Sequence, residues 1–398
     1  MPSTNNIFPE SNPSRPDGLE KLIHKRENGE RIVVWATGIS GSGRLEYLQL
    51  QQELAQANER HFELLDASDF LWDAFRERNQ HITKENILDV RTSELQDKLG
   101  RAYDNITQII GDHPDTDFVV SGHATFHWNS DVKLGYHPSF FKERFKPDLF
   151  VNIVDNETDI SKTLQSSPYA AQWAGQNLNE EKIVQWLSNE FTNTKLWADH
   201  SGSPWCVIPR YMSPTTLYMA MHHPETPWIY YAQQMTHQTF DGETYPAADE
   251  FSKELVTRGV VFNPKGYEIY RFDEDNLFTS HFTDVRDTEW FVPSSTMVIA
   301  FYHRPAPSEG MADETFEAFN LGKWVYRVWP PNEKGETYFS PFVYSNSHQI
   351  FDDVKSLLEH FDKTHGGPKD LIIPEHIMDH AFSVSRRNVV KPTNYQQI

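Results

Sequence analysis

The chain has 398 residues, 38% hydrophobic and 13% aromatic, more than one core usually holds and too apolar for a disordered or fibrous polymer. With 57 acids against 36 lysines and arginines the formal charge is -21, a field that opposes non-specific binding of nucleic acid polymers or anionic membranes. A single cysteine excludes an intrachain disulfide, no apolar run approaches the ~18 residues of a membrane span, and the first residues lack the basic-then-apolar layout of a signal peptide, so a cytoplasmic protein is expected.

Residues 1–18, rich in Pro, Ser and Asn, predict a flexible leader. Residues 31–36 are a short apolar run typical of a buried strand, which passes through a glycine-rich turn into a helical stretch beginning at Leu45. Further strands are predicted at 62–65, 118–120 and 149–154, with a helix over 93–110 whose Leu95, Leu99, Ala102, Ile106 and Ile109 share a face. After Pro227 the alternation resumes, with strands at 228–232, 260–262, 297–301 and 324–329 and helices at 247–258, 312–321 and 346–362. Such alternation predicts an α/β protein with mostly parallel sheets. The expected domains are 19–212 and a smaller 225–362, meeting between about 200 and 227, with a C-terminal extension over 363–398 that ends in a polar tail from Ser383.

Thr37-Gly38-Ile39-Ser40-Gly41-Ser42-Gly43-Arg44 lies where a strand gives way to a helix. Glycines there let backbone N–H groups turn inward, and the helix N-terminus adds positive potential, so Gly38, Ser40, Gly41, Ser42, Gly43 and Arg44 are candidate nucleotide-binding residues. A working phosphate loop also needs a lysine for the outer phosphates and a hydroxyl for magnesium, and those positions hold Arg44 and Leu45. Together with the stretches at 118–125 and 147–153, the loop resembles the archaeal-type adenylate kinase branch of P-loop nucleotide kinases over about residues 30–210. The resemblance implies a P-loop kinase-like parallel sheet, an acid at the position of Ser121, and lid arginines, of which 156–209 contains none. With metal and lid chemistry lost, the expectation is a domain that binds or senses a nucleotide but transfers no phosphoryl group. A scaffold that binds nothing stays open.

In the second domain, Ser308-Glu309-Gly310-Met311-Ala312-Asp313-Glu314 and then Gly322-Lys323 follow Ile229-Tyr230-Tyr231-Ala232-Gln233-Gln234, Asp287 and a strand. Acids at a helix start alone mean only favourable dipole placement. In this order the segments resemble the nucleoside 2-deoxyribosyltransferase family and its relatives that hydrolyse nucleoside 5'-monophosphates at the N-glycosidic bond, over about residues 227–330. The resemblance implies a doubly wound domain with Glu314 as nucleophile, Asp287 binding and protonating the leaving base, and Tyr230 orienting the nucleophile. It further implies Ala232, Gln233, Gly310 and Met311 as substrate contacts, no cofactor or metal for the cleavage, and a homo-oligomer, most simply a dimer. Gln233-Gln234 departs from the usual Gly-Pro, and Ser295 from a frequent aspartate. The residue types suit the chemistry: breaking a C1'–N bond builds oxocarbenium character, which a carboxylate beneath C1' stabilises while a second acid protonates the base.

The leading expectation is therefore cleavage or exchange of the N-glycosidic bond of a nucleoside or nucleotide. A glycohydrolase that cleaves NAD needs the same glutamate under C1' and stays open, as does a catalytically silent nucleotide-sensing or assembly protein. Among weaker signals, His376 with His380 and His222 with His223 read as isolated histidines rather than a metal site, and Trp324, Tyr326 and Trp329 as core. Cys206 beside Trp205 reads as an inert packed residue, Asp313 and Glu317 as polar helix positions, and Arg386, Arg387, Lys391 and Tyr395 as a solvated tail.

Overall fold

The computed structural model describes residues 14–76, 82–83, 86–129, 131–136, 140–141, 144–168, 170–176, 178–234, 246–267, 285–337, 340–368 and 370–382. They fall into two compact units, an N-terminal one of Asp17–Arg210 and a C-terminal one that takes in Met1–Pro16 and Tyr211–Ile398. Both are mixed α/β, each built on a five-stranded parallel sheet. Among the described residues no helix is long and apolar enough to cross a membrane.

The N-terminal unit runs α1 (Leu19–Glu27), β1 (Val33–Thr37), α2 (Arg44–Ala57), β2 (Phe62–Asp66), α3 (Ala67–Arg76), α4 (Thr92–Asp112), β3 (Asp117–Ser121), β4 (Thr125–Trp128), β5 (Asp131–Leu134), β6 (Leu149–Val154), α5 (Glu157–Ser166), α6 (Ala170–Ala174), α7 (Glu180–Ser201) and β7 (Trp205–Pro209). Its sheet has the order β2-β3-β1-β6-β7, while β4 and β5 form a separate antiparallel pair. Strands covered on both faces need continuous apolar runs, which is why β1 and β6 are buried at every position. Two buried acids fix the start of the sheet: Asp117 accepts from Ile32 N–H at 2.7 Å and Arg26 at 2.8 Å, and Asp148 from Val33 N–H at 3.0 Å and Lys25 at 2.8 Å. Each cation comes from α1, so that helix is clamped to the strand starts.

The C-terminal unit continues with α8 (Thr215–His222), β8 (Trp228–Gln233), α9 (Pro246–Leu255), β9 (Val260–Phe262), a π-helical segment (Arg286–Phe291), β10 (Met297–Phe301), α10 (Glu309–Asn320), β11 (Trp324–Val328), α11 (Pro341–Ser345), β12 (Gln349–Phe351), α12 (Val354–Thr364) and α13 (Glu375–Phe382). The sheet order is β12-β11-β10-β8-β9, so the chain reverses its direction of travel between β8 and β10. Ligands of open parallel sheets lie outside the carboxyl ends of the strands at such a reversal.

Two expectations are corrected. The helix over 346–362 is β12 followed by α12, because Asp353 caps the helix by accepting Ser356 N–H at 2.7 Å and starts it only there. Inside the expected leader, Ser14 is tied down: its N–H donates to Gly322 O at 2.9 Å and its carbonyl accepts from Lys323 at 3.2 Å. Residues 1–13 and the polar tail from Ser383 lie outside the described residues.

Candidate functional site

Glu314 sits in the second turn of α10, which starts beyond the carboxyl end of β10 and packs against β8, β10, β11 and the π-helical segment. Glu314 is 8% exposed, and its Oε1 accepts a 2.9 Å hydrogen bond from the hydroxyl of Tyr230, itself fully buried in β8. Tyr230 stacks on Phe291 with centroids 6.2 Å apart and planes 15° off parallel. Phe291 closes the π-helical segment that carries the buried Asp287, so the stack fixes that segment against β8. Thus the structure gathers Glu314, Tyr230 and the Asp287 segment about the sheet reversal. π-helical turns are rare and often mark functional positions.

The remaining expected contacts divide. Ala232 is buried in β8, paired with Ala300, and Met311 is buried under the first turn of α10. Gly310 is exposed, and a Cβ there would meet open space, so its glycine answers no steric need among the described residues. Gln233 donates to Asn263 Oδ1 at 3.0 Å and Gln234 to Ala306 O at 2.7 Å. The Oε1 atoms of both glutamines are buried without a partner among the described residues. Buried acceptors without a donor are costly, and donors on a ligand would satisfy both. Ser295 donates to Val292 O at 2.7 Å and so closes the turn into β10.

Sequence reasoning missed the support beneath Glu314. Arg327 of β11 is 2% exposed and donates to three hydroxyls: Ser347 at 2.7 Å, Tyr302 at 3.0 Å and Thr315 at 2.8 Å. Thr315 neighbours Glu314 and hands its own proton to Met311 O at 2.6 Å. Burial lowers the Arg327 guanidinium from its ordinary value, and burial raises the Tyr302 phenol. A lone arginine in an apolar strand was the available signal.

In the N-terminal unit the glycine loop keeps its shape. Gly41 and Gly43 have φ of 85° and 72°, conformations that favour glycine, and a Cβ on Gly38 would come within 2.5 Å of Ile153 O. Ser40 and Gly41 are half-buried and Ser42 is buried. Arg44, however, turns inward: its guanidinium donates to Gly38 O and, at 2.9 Å, to Ser121 Oγ. The loop donor nearest the sheet is also taken. Glu190 of α7, fully buried, accepts from Gly38 N–H at 3.0 Å, Ala124 N–H at 2.8 Å, and Thr125 N–H and Oγ1 at 2.6 and 2.7 Å. An internal carboxylate therefore occupies donors that a phosphate would otherwise use. Leu45 and Ser121 do not fit a magnesium ion, and the acid at that sheet edge is Asp66, in register with Ser121. The cation that does reach the loop is Arg210, one residue past the arginine-free stretch. It lies so close to Gly43 that a Cβ there would meet its side chain at 2.3 Å, and it pairs with Glu46 and, at 3.3 Å, with Asp155.

Of the weaker signals, Trp329 is buried with its ring 4.4 Å from Tyr302, and Trp324 and Tyr326 pack around His365. Cys206 is buried in β7, where burial pushes its thiol up. His222 is buried against Tyr218 at 4.7 Å. Among the described residues no group of three or more His, Cys, Asp or Glu could hold a metal ion. The His380 side chain, Arg386, Arg387, Lys391 and Tyr395 lie outside the described residues. A scan against protein-family models finds none that matches the chain, and a search of the curated proteins finds no match.

Proposed function

We propose that the C-terminal unit cleaves, or exchanges by transfer, the N-glycosidic bond of a nucleoside or nucleotide through Glu314. The observation that carries this reading is the buried 2.9 Å hydrogen bond from Tyr230 to Glu314 Oε1, which ties β8 to the helix following β10, the two strands at which the sheet order reverses. A buried carboxylate is expensive unless it is hydrogen-bonded, and this one sits where a parallel sheet receives ligands. Tyr230 holds Oε1, and Oε2 attacks C1'. The new O–C1' bond forms as the C1'–N bond breaks, its electron pair passes to the base nitrogen, and Asp287 supplies the proton. Water, or a second base, then attacks C1' and releases Glu314. The acceptor oxygens of Gln233 and Gln234 would take sugar or base donors. As a companion reading, the N-terminal unit holds a nucleotide or phosphate at the outer part of its loop without phosphoryl transfer, which the inward Arg44 and the absent magnesium ligands support. A dimer through the C-terminal unit completes the proposal, and a light-scattering mass of one chain across a wide concentration range would refute that part.

The test is free base released from a panel of nucleosides, nucleoside 5'-monophosphates and NAD. The parent should release base from at least one, and the panel separates nucleotide cleavage from NAD cleavage. Glu314→Gln keeps the bond from Tyr230 and should lower release by orders of magnitude with the fold intact, whereas Glu317→Gln should stay within a few-fold. Equal loss in both, or no release by the parent, overturns the reading and leaves the silent sensing protein.

A further inference from the structure

We infer that the segment around Ser14 is a strap on the Glu314 centre: together with Lys323 it makes a buried clamp that sets α10 against the π-helical segment carrying Asp287, and Lys323 is a positioning residue of that centre. The role in catalysis rests on the reading of Glu314 as the reacting group, whereas the clamp itself does not.

Lys323 follows the left-handed Gly322 that stops α10, and it is 4% exposed. A buried ammonium is expensive unless acceptors meet it. Two carbonyls from distant parts of the chain do so, Ser14 O and Pro293 O, each at 3.2 Å. The Lys323 N–H donates to Ala318 O at 2.9 Å, so the ammonium is carried by the end of the helix. The strap is fastened a second time where Ser14 N–H donates to Gly322 O at 2.9 Å. Residues 15–18 then lead into α1, which Arg26 and Lys25 hold to Asp117 and Asp148 of the N-terminal unit. The segment is thus anchored on both sides, unlike a free terminus.

Pro293 connects the clamp to the centre. It lies in the turn after Phe291, and that turn is stiffened by Ser294 Oγ donating to Trp290 O at 2.6 Å and Ser295 Oγ donating to Val292 O at 2.7 Å. A closed circuit results. Tyr230 holds Glu314 by a hydrogen bond and Phe291 by stacking, Pro293 O accepts from Lys323, and α10 leads from Lys323 back to Glu314. A helix pinned at one point can turn about it, and Lys323 supplies the second point. Glu314 and Asp287 sit on different elements, and a misplacement of ~1 Å between reacting groups can cost ~10²-fold in rate.

The experiment compares the full chain with its Lys323→Met and Ser14→Pro variants by amide hydrogen exchange and by base release. Methionine fills the space of lysine without its charge, and such a replacement of a buried charge need not lower stability. Proline lacks the N–H that Gly322 O accepts, and the Ser14 side chain is exposed, so this variant keeps the test open if Lys323→Met fails to fold. Both should speed exchange in Glu309–Asn320 and Arg286–Phe291 by about tenfold or more, while β10 and the N-terminal sheet keep the parent rates. Where the parent releases base, both should lower kcat by about tenfold or more with KM within a few-fold. Unchanged exchange in those two elements, exchange that quickens equally throughout the C-terminal unit, or kcat at the parent value would each overturn the inference. A parent that releases no base would defeat the reading of Glu314 alone, and the exchange rates would still decide the clamp.

Discussion

The hydroxyl of Tyr230 donates to Glu314 Oε1 at 2.9 Å, joining β8 to the helix that follows β10, the middle strand of the C-terminal sheet. Both groups are buried, so neither can turn to water for a replacement partner. Tyr230→Phe removes the donor and nothing else. A hydrogen bond to a charged group is worth about 1.5–3 kcal/mol, and the denaturation midpoint of this unit should fall accordingly. Base release should fall at least about tenfold, the equivalent of roughly 1.4 kcal/mol in barrier. A variant that keeps full activity would show that the bond is structural alone.

Arg327→Lys tests the hydroxyl cluster behind that pair. Lysine carries the charge, but a single ammonium lacks the planar fork that meets Ser347, Tyr302 and Thr315 together. The expected loss is about 2–4 kcal/mol, from buried hydroxyls and a buried charge left short of partners. Chemical denaturation measures it, and a loss below about 0.5 kcal/mol would be the range of a surface change and contradict the account.

Arg44 should matter for stability and not for phosphoryl transfer. Arg44→Ala removes a buried guanidinium that donates to Gly38 O and Ser121 Oγ and is attracted by the charges of Asp66 and Glu190, and removing one member of a buried charged arrangement costs about 3–5 kcal/mol. Parent protein mixed with ATP, AMP and magnesium should form no ADP at ordinary kinase rates of roughly 1–100 per second. A coupled assay detecting such turnover would refute the account of the loop.

Acid should weaken the C-terminal unit through its histidines. Burial pushes His365 down to about 4, with like-charge repulsion from His360 adding to it, and burial also lowers His360 and His348. An unfolded histidine takes up its proton near pH 6.5, whereas folded His365 stays neutral down to about 4. The unfolded chain therefore binds more protons in that window, and stability present above about pH 6.5 is lost as the pH falls toward 4. His365→Gln should shallow the fall of the melting midpoint across this range. An unchanged slope would place the acid sensitivity elsewhere.

The parts of the fold legible in the sequence are those where burial on both faces writes a continuous apolar run: Leu149–Val154, Val260–Phe262 and Met297–Phe301 read directly. The strand Gln349–Phe351 is three residues long and has only one fully buried position, so the strong helical pattern of Leu357 and Phe361 extended backward over it. Trp205–Pro209 was hidden because prolines flank and end it. The site followed the same division. Glu314 and Tyr230 stand in local patterns, but Glu190 lies 152 residues from Gly38 and looks in sequence like any helical acid. Arg210 likewise reads as a strand-end cation until the fold lays it on Gly43. Charges whose partners are distant in sequence carry no local mark.

Glu190 gathers the amides of Gly38, Ala124 and Thr125, which follow two neighbouring strands, onto one helix. None of the three can meet solvent unless α7 lifts away from the sheet, an event on the scale of the whole unit. Their protons should exchange with deuterium as slowly as those of the central strands, at the rate of global opening. Adding a nucleotide should leave that rate unchanged apart from any overall stabilisation. The inner end of the glycine loop should thus exchange with the slowest cooperative block of its unit, while the turn from Ser40 to Gly43 is the part of the loop that Glu190 does not hold.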